Sequence, residues 1–86
     1  MKVYTLHQGP GHAWLEVTRG ELIALDIVDK ISGYSYQLGH KVYLEEDVDA
    51  GIFIKAMKLE RKQVKEVFSD PCKIRGYAHF IIHHKL

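Results

Sequence analysis

Apolar and polar residues alternate in two short stretches near the N-terminus. Over residues 2–7 the alternation places Tyr4 and Leu6 on one face of an extended chain, which is the period of a β-strand. The Gly-Pro-Gly sequence at 9–11 supplies strong turn chemistry. Residues 12–17 follow with a second pattern of strand type. We therefore expect an N-terminal hairpin.

A short helix is predicted directly after this hairpin. Thr18 stands three residues before Glu21, which is the spacing of a capping box. Leu22 and Leu25 then follow at the spacing of an inward-facing helical surface. We expect a helix over residues 19–26.

Residues 33–44 have the pattern of a further hairpin. Gly39-His40 supplies the turn, and the return strand carries Val42 and Leu44 on one face. The first strand is predicted to present three side chains on one face, namely Tyr34, Tyr36 and Leu38.

The longest helical pattern lies between residues 48 and 62. The acidic run at 45–49 suits the positive end of a helix macrodipole, and Asp47 is a natural N-cap. We prefer this interpretation to a Mg²⁺ or Ca²⁺ site, because the EF-hand ligand pattern is absent. The apolar positions form one arc of a helical wheel, made of Val48, Ile52, Phe53, Ala56 and Leu59.

The C-terminal third favours strands. Val64 and Val67 indicate one strand, Asp70-Pro71 a turn, and residues 74–82 one or two further strands. The chain has no repeat or linker-like segment, so residues 1–86 are predicted to form a single domain. The expected fold class is α+β, with an antiparallel sheet of about four to six strands packed by one long and one short helix.

Composition narrows the classes of function. Hydrophobic residues make up 47% and charged residues 27% of the 86, with a net charge of +1, which is typical of a soluble globular domain. The single cysteine, Cys72, excludes an intrachain disulfide and indicates a reducing compartment. The apolar runs are too short for a membrane span or a signal peptide, so the expected location is the cytoplasm, with no membrane partner. A homo-oligomer would enlarge the small core, and oligomerisation stays open.

The small net charge conceals an uneven distribution. Residues 39–54 hold four acidic and one basic residue, whereas residues 55–86 hold eight basic and three acidic ones. A basic stripe on the predicted long helix would suit phosphates. Nucleic-acid binding by this helix is therefore one alternative function, although a solvated outer face is the simpler interpretation. The stripe consists of Lys55, Lys58, Arg61, Lys62 and Lys65.

The aromatic residues suggest a site for a small ligand. Aromatic rings on a strand can stack on a nucleobase or line a pocket, while basic side chains contact phosphate. Cross-strand packing explains the same aromatic residues about as well. The candidate binding residues are Trp14, Tyr34 and Tyr36 for stacking, with Lys58, Lys62 and Arg75 for phosphate.

Metal binding and catalysis find less support in the residues. His12 and His40 both lie beside glycine turns and are weak candidates for a metal site, but no Cys-x-x-Cys or His-Glu-x-x-His motif accompanies them. Cys72 would be a nucleophile only if a histidine meets it in space. A small metal-dependent or cysteine hydrolase is the second alternative. No catalytic residue is assigned and no cofactor is expected.

Three stretches of the chain resemble small phage proteins. Residues 9–17 (GPGHAWLEV), 31–36 (ISGYSY) and 42–50 (VYLEEDVDA) look like small uncharacterised proteins encoded by bacteriophages and bacterial mobile elements. The resemblance covers about residues 4–57, with a weaker echo at 74–77. It implies an accessory factor that acts on the host cell. The leading hypothesis is a non-enzymatic binding protein that acts on a host protein, including a defence protein, or sequesters a nucleotide-type ligand.

Overall fold

A computed structural model describes residues 2–68 and 71–81, without the side chains of residues 71 and 72. The described chain contains β1 (Tyr4–Gly9), β2 (His12–Thr18), β3 (Tyr36–Leu38), β4 (Lys41–Glu45), β5 (Val64–Phe68) and β6 (Ala78–His79). Its α-helices are α1 (Arg19–Ala24), α2 (Asp49–Met57) and α3 (Pro71–Arg75), and 3₁₀ turns lie at Val28–Lys30 and Arg61–Gln63. The predicted α+β class is confirmed.

The six described strands form one sheet in the order β5-β1-β2-β4-β3-β6. Most neighbours pair antiparallel, as predicted. The exception is β5, which runs parallel to β1 and pairs Val64 with Tyr4. A parallel pair cannot be closed by a tight hairpin, and β5 accordingly follows β1 only after the chain has passed through α2. The expectation of a wholly antiparallel sheet is corrected at this edge.

Glycines make the turns of both predicted hairpins. Gly11 has φ of +77° and Gly39 has φ of +62°, in the left-handed region where a residue without Cβ pays no steric penalty. Both hairpins are confirmed by the pairing of β1 with β2 and of β3 with β4. However, β3 begins only at Tyr36. Tyr34 therefore lies in the preceding turn, and its predicted place on one strand face with Tyr36 and Leu38 is wrong.

Helices α1 and α2 cover one face of the sheet. Helix α1 begins with the predicted capping box, in which Thr18 Oγ1 accepts from the Glu21 N–H at 3.1 Å and the Thr18 N–H donates to the Glu21 carboxylate at 2.8 Å. Leu22 on α1 and Phe53 on α2 are fully buried against the strands. The main core consists of Tyr4, Leu15, Val17, Leu22, Ile27, Ile31, Val42, Leu44, Ala50, Phe53 and Phe80.

Helix α2 is shorter than the predicted helix over 48–62. Lys58 adopts φ of 55°, and the Leu59 N–H donates to the Ile54 carbonyl at 3.0 Å, which together form a Schellman-type end. Leu59 then packs against the core. Of the predicted apolar arc, Phe53 is buried and Ile52 half-buried, but Val48 and Ala56 are exposed. The buried face instead begins with Asp49 and Ala50.

The start of α2 also differs from the prediction. Val48 is the N-cap residue, with no side-chain cap, so the assignment of Asp47 is wrong. The Glu45 carboxylate instead accepts from the N–H groups of Asp47 at 2.9 Å and Val48 at 3.2 Å. The acidic run therefore forms a hydrogen-bonded turn before the helix, in which Glu45 binds the backbone of the residues that follow it.

Helix α3 lies on the opposite face of the sheet and was not predicted. It begins at Pro71, a residue that suits the first helical position, where a turn was expected; Asp70 is outside the described residues. Ile74 belongs to this helix and is buried against the sheet, instead of lying on a strand. The predicted strands over 74–82 reduce to β6, and Ile82 is outside the description. None of the described helices has the length and apolar content needed to span a bilayer.

Candidate functional site, an aromatic cavity beside helix α3

The second face of the sheet is unusually aromatic. Trp14 and Tyr43 are buried there together with Ile74, and Tyr36 and Tyr77 pack partly buried beside them. The alternation of the strands explains this composition, because Leu15 and Leu44 face the main core while their neighbours Trp14 and Tyr43 point to the other side. The sheet therefore has a second, small core that is built mainly from rings.

Four rings on this face form a continuous chain of contacts, in the order His12, Trp14, Tyr36 and His79. Trp14 meets Tyr36 edge to face, with ring centroids 6.2 Å apart and an interplanar angle of 68°. Tyr36 in turn stacks on His79 at 4.8 Å. His12 stacks on Trp14 at 5.8 Å. Such edge-to-face and stacked pairs hold aromatic side chains in defined orientations.

A cavity of about 420 Å³ opens beside this chain of rings. Strand β2 and the 34–36 segment supply its aromatic wall, the end of β4 and the loop that follows it supply its acidic wall, and α3 supplies a guanidinium. We call it the aromatic cavity. It is lined by His12, Trp14, Tyr34, Tyr36, Glu45, Asp47, Val48 and Arg75.

Four of the six predicted ligand-binding residues meet in the aromatic cavity. They are Trp14, Tyr34, Tyr36 and Arg75. The Arg75 guanidinium carbon lies 5.9 Å from the centroid of the Trp14 ring, at the outer limit of a cation–π contact. Helix α3 thus places Arg75 at the cavity, although Arg75 is distant in sequence from Trp14 and Tyr36.

Lys58 and Lys62 do not line the aromatic cavity. Lys58 is the left-handed residue that ends α2, while Lys62 lies in the 3₁₀ turn and its Nζ is 3.5 Å from Glu60 Oε1. The predicted basic stripe is also wrong as a helix face. Its residues are spread over α2, its cap, a 3₁₀ turn and strand β5, so the chain does not arrange them along one helix.

Tyr34 and Tyr36 differ in how far their side chains are exposed. Tyr34 is 78% exposed and sits in a turn, where its N–H donates to Ser32 Oγ at 3.2 Å. Tyr36 is half-buried between Trp14 and His79. Tyr34 therefore offers a ring face to a ligand, whereas Tyr36 forms part of the wall.

A buried carboxylate holds this turn in place. Asp49 is fully buried at the start of α2. Its Oδ2 accepts hydrogen bonds from the Ser32 N–H at 3.0 Å and hydroxyl at 2.7 Å, and from the Ser35 hydroxyl at 2.6 Å. Its Oδ1 is buried without a hydrogen-bond partner among the described residues. Because both serine hydroxyls are held by the Asp49 carboxylate, we assign them a structural role and not a nucleophilic one.

His12 and His40 lie at opposite ends of β2. His12 pairs with Gly9 at the start of the strand, while the His40 carbonyl accepts from the Arg19 N–H just beyond its end. The two side chains cannot share a metal, which removes the basis for that candidate site. Among the described residues, no group of three or more His, Cys, Asp and Glu side chains is arranged to hold a metal ion. The Cys72 side chain is outside the described part of the chain.

A polar cluster occupies another part of the aromatic face. Glu16 Oε1 lies 2.7 Å from His7 Nε2, and its Oε2 lies 3.0 Å from Lys41 Nζ. Burial raises the pKa of Glu16, but the hydrogen bonds and charges of these two partners outweigh burial and leave it below its usual value. Burial also raises the pKa of the neighbouring Tyr43, with help from the Glu16 charge. The cluster is a satisfied network and stands outside the cavity lining.

Sequence reasoning missed the acidic wall. The sequence pattern assigns Glu45 and Asp47 to a helix start and Val48 to an apolar arc, yet all three line the aromatic cavity. His12 was considered only for metal. The available signal is their position in the sequence: Glu45, Asp47 and Val48 lie at or just after the end of β4, and His12 begins β2, the strand that carries Trp14.

Comparison with known proteins does not assign a family to the chain. No protein-family model, curated protein sequence or solved structure matches it significantly.

Proposed function

We propose that this protein binds a small, planar ligand of nucleotide type in the aromatic cavity. The observation that carries the proposal is the meeting of Trp14, Tyr34, Tyr36 and Arg75 around a volume of about 420 Å³. Small-molecule sites usually have roughly 300–1,000 Å³ and combine apolar walls with a few polar groups. Stacking surfaces and one cation in a space of this size suit a nucleobase with its sugar.

Tyr34 is the stacking platform in this proposal. Its ring is 78% exposed at the cavity, so a base can cover it without displacing another side chain. Trp14 and Tyr36 are already engaged with each other and with histidines. They give the cavity its fixed shape. Stacking on an aromatic side chain contributes about 1–3 kcal/mol per base.

The charges of the cavity favour a ligand with little negative charge. Among the described lining residues Arg75 is the one Lys or Arg side chain, and Glu45 and Asp47 are both acidic. The two lysines that were expected to contact phosphate lie elsewhere. A triphosphate would meet net repulsion at this lining. A nucleoside or a nucleoside monophosphate fits it better.

The role that we propose is sequestration of such a ligand. The described lining offers rings, carboxylates and a guanidinium, which suit stacking on and hydrogen bonding to a small polar ligand. Binding without conversion agrees with the resemblance to small phage-encoded accessory proteins. Docking of a host protein is the second proposal for the same surface, because Tyr34 and Val48 both line the cavity and leave 78% and 61% of their surface accessible.

Isothermal titration calorimetry against nucleosides, nucleoside monophosphates and nucleoside triphosphates tests the proposal. We expect saturable binding of at least one nucleoside or monophosphate, weaker binding of the matching triphosphate, and a loss of at least about fivefold in affinity for Tyr34→Ala. Phe68→Ala is the matched control, because Phe68 is 77% exposed on β5 and is not part of the lining. Absence of binding by every member of the panel, or an equal loss in Phe68→Ala, would overturn the proposal.

A further inference from the structure

The described acidic wall of the aromatic cavity contains one carboxylate that is hydrogen-bonded and one that has no partner among the described residues. Both Glu45 oxygens accept backbone hydrogen bonds, from the N–H groups of Asp47 at 2.9 Å and Val48 at 3.2 Å. The Asp47 side chain is exposed at the same cavity. Within the described residues its carboxylate takes part in no hydrogen bond or ion pair. Asp47 therefore presents two acceptor oxygens to a ligand.

Nucleobases differ in what they offer to such a carboxylate. The pairing edge of guanine carries two adjacent N–H donors, which match the two oxygens of a carboxylate in a bidentate contact. The corresponding edge of adenine carries one donor beside a ring nitrogen with a lone pair, so one oxygen of the carboxylate would face another acceptor. A free carboxylate beside a stacking platform consequently discriminates between the two purines.

We propose that the aromatic cavity selects guanine over adenine, with Asp47 as the residue that determines this specificity. The inference rests on the proposed function, since it names the base that the cavity takes. In this arrangement the base stacks on Tyr34 and its two N–H donors point to Asp47. The sugar and a single phosphate lie toward Arg75, which supplies the guanidinium of the described lining.

The neighbouring acidic residues supply matched controls. Glu46 is exposed and its N–H donates to the Ala13 carbonyl at 3.1 Å, but its side chain does not line the cavity. Glu46→Gln thus removes the same charge one residue away. Asp47→Asn keeps the size of the side chain and replaces one acceptor by a donor. An amide of this kind matches the donor and acceptor edge of adenine.

The test is calorimetric titration of GMP, IMP and AMP into the wild-type chain and both variants. IMP retains one of the two N–H donors of GMP, so we expect affinity to fall in the order GMP, IMP, AMP, with GMP at least about tenfold tighter than AMP. Asp47→Asn should weaken GMP by about tenfold and tighten AMP, so that the preference reverses. Glu46→Gln should keep the wild-type order. The gain for AMP cannot come from a damaged fold.

Each result separates the inference from the proposed function. Equal binding of GMP and AMP by the wild-type chain overturns the selection of guanine and leaves nucleotide binding standing. A preference for GMP that survives in Asp47→Asn overturns the role of Asp47. If none of the three monophosphates binds, and the wider panel of nucleosides and nucleotides also fails, the proposed function itself is wrong.

Discussion

The Ser35 hydroxyl donates a hydrogen bond of 2.6 Å to Oδ2 of the buried Asp49 carboxylate. The same hydroxyl oxygen accepts from the Glu45 N–H at 2.9 Å. Ser35 thereby connects the turn before β3 with the end of β4 and the start of α2. Because its neighbours in sequence are Tyr34 and Tyr36, this link fixes the two tyrosines at the aromatic cavity.

Replacement of Ser35 by alanine should therefore destabilise the fold. The change removes one of the three donors to Asp49 and leaves the Glu45 N–H without its acceptor. Loss of a partner by buried polar groups costs about 1–3 kcal/mol. Urea denaturation measures the effect. Ser32→Ala is the control. It also removes one donor to Asp49, but the N–H that loses its acceptor belongs to Tyr34 and is exposed to water, so the loss should be smaller; equal losses in the two variants would contradict the central position of Ser35.

The elements with strong local signals were predictable from the sequence. The Gly11 and Gly39 turns, the capping box of Thr18 and Glu21, and the alternation in β1 are set by residues close together in the chain, and all are present. The parallel pairing of β5 was not predictable in this way. It depends on which sheet edge is open when the chain returns, and β5 is too exposed to carry the continuous apolar run that is typical of buried parallel strands.

The end of α2 shows a second limit of local pattern. The 48–62 stretch retains helical spacing, but Leu59 is needed against the core, and the backbone reverses at Lys58 to bring it there. The candidate site was likewise predicted only in part. The strand pattern of the aromatic residues predicted Trp14 and Tyr36 correctly as lining residues. The lysines proposed for phosphate required the helix to continue to residue 62, and because α2 ends at Lys58 they do not reach the cavity.

Lys58 should tolerate glycine and gain stability from it. Its φ of 55° places a side chain in the left-handed region, which costs roughly 1–2 kcal/mol for a residue with a Cβ. Glycine removes this strain but adds freedom to the unfolded chain, so Lys58→Gly should raise the free energy of unfolding by about 0.5–1 kcal/mol. Lys58→Val, whose branched side chain suits this conformation poorly, should lower it. Urea denaturation of both variants measures these changes. An increase in stability for Lys58→Val would contradict the strain at this left-handed position.

Stability should fall in acid in part because of Glu21. Burial raises the pKa of Glu21, but hydrogen bonds from Tyr4, Lys2 and Thr18 outweigh burial and leave it below its ordinary value of 4.5. A carboxyl whose pKa is lowered by folding contributes stability above the unfolded value and loses it as pH falls through the folded value. Glu16 shares this direction, so both contribute to the loss below about pH 5.

Removing the hydrogen bond that Tyr4 donates isolates the part of the pH-dependent stability that Glu21 contributes. The Tyr4 hydroxyl donates to Glu21 Oε2 at 2.6 Å, and Tyr4→Phe deletes this bond with little change in packing. The variant should be less stable than the wild type at neutral pH, and the difference should shrink as the pH falls from roughly 6 to 2. Urea denaturation across this range measures it. Tyr34→Phe is the control at an exposed site; a difference for Tyr4→Phe that stays constant with pH would show that Glu21 does not carry the effect.

The single tryptophan reports on the wall of the aromatic cavity. Trp14 is 3% exposed, and its Nε1 is buried without a hydrogen-bond partner among the described residues. Its fluorescence should therefore be blue-shifted relative to that of tryptophan in water and resist quenching by acrylamide. Because the indole N–H makes no hydrogen bond there, Trp14→Phe should lose stability mainly through lost volume, about 1–2 kcal/mol, compared with about 3–5 kcal/mol for Trp14→Ala. Emission typical of an exposed indole, or equal losses in the two variants, would contradict the buried position of Trp14 between His12 and Tyr36.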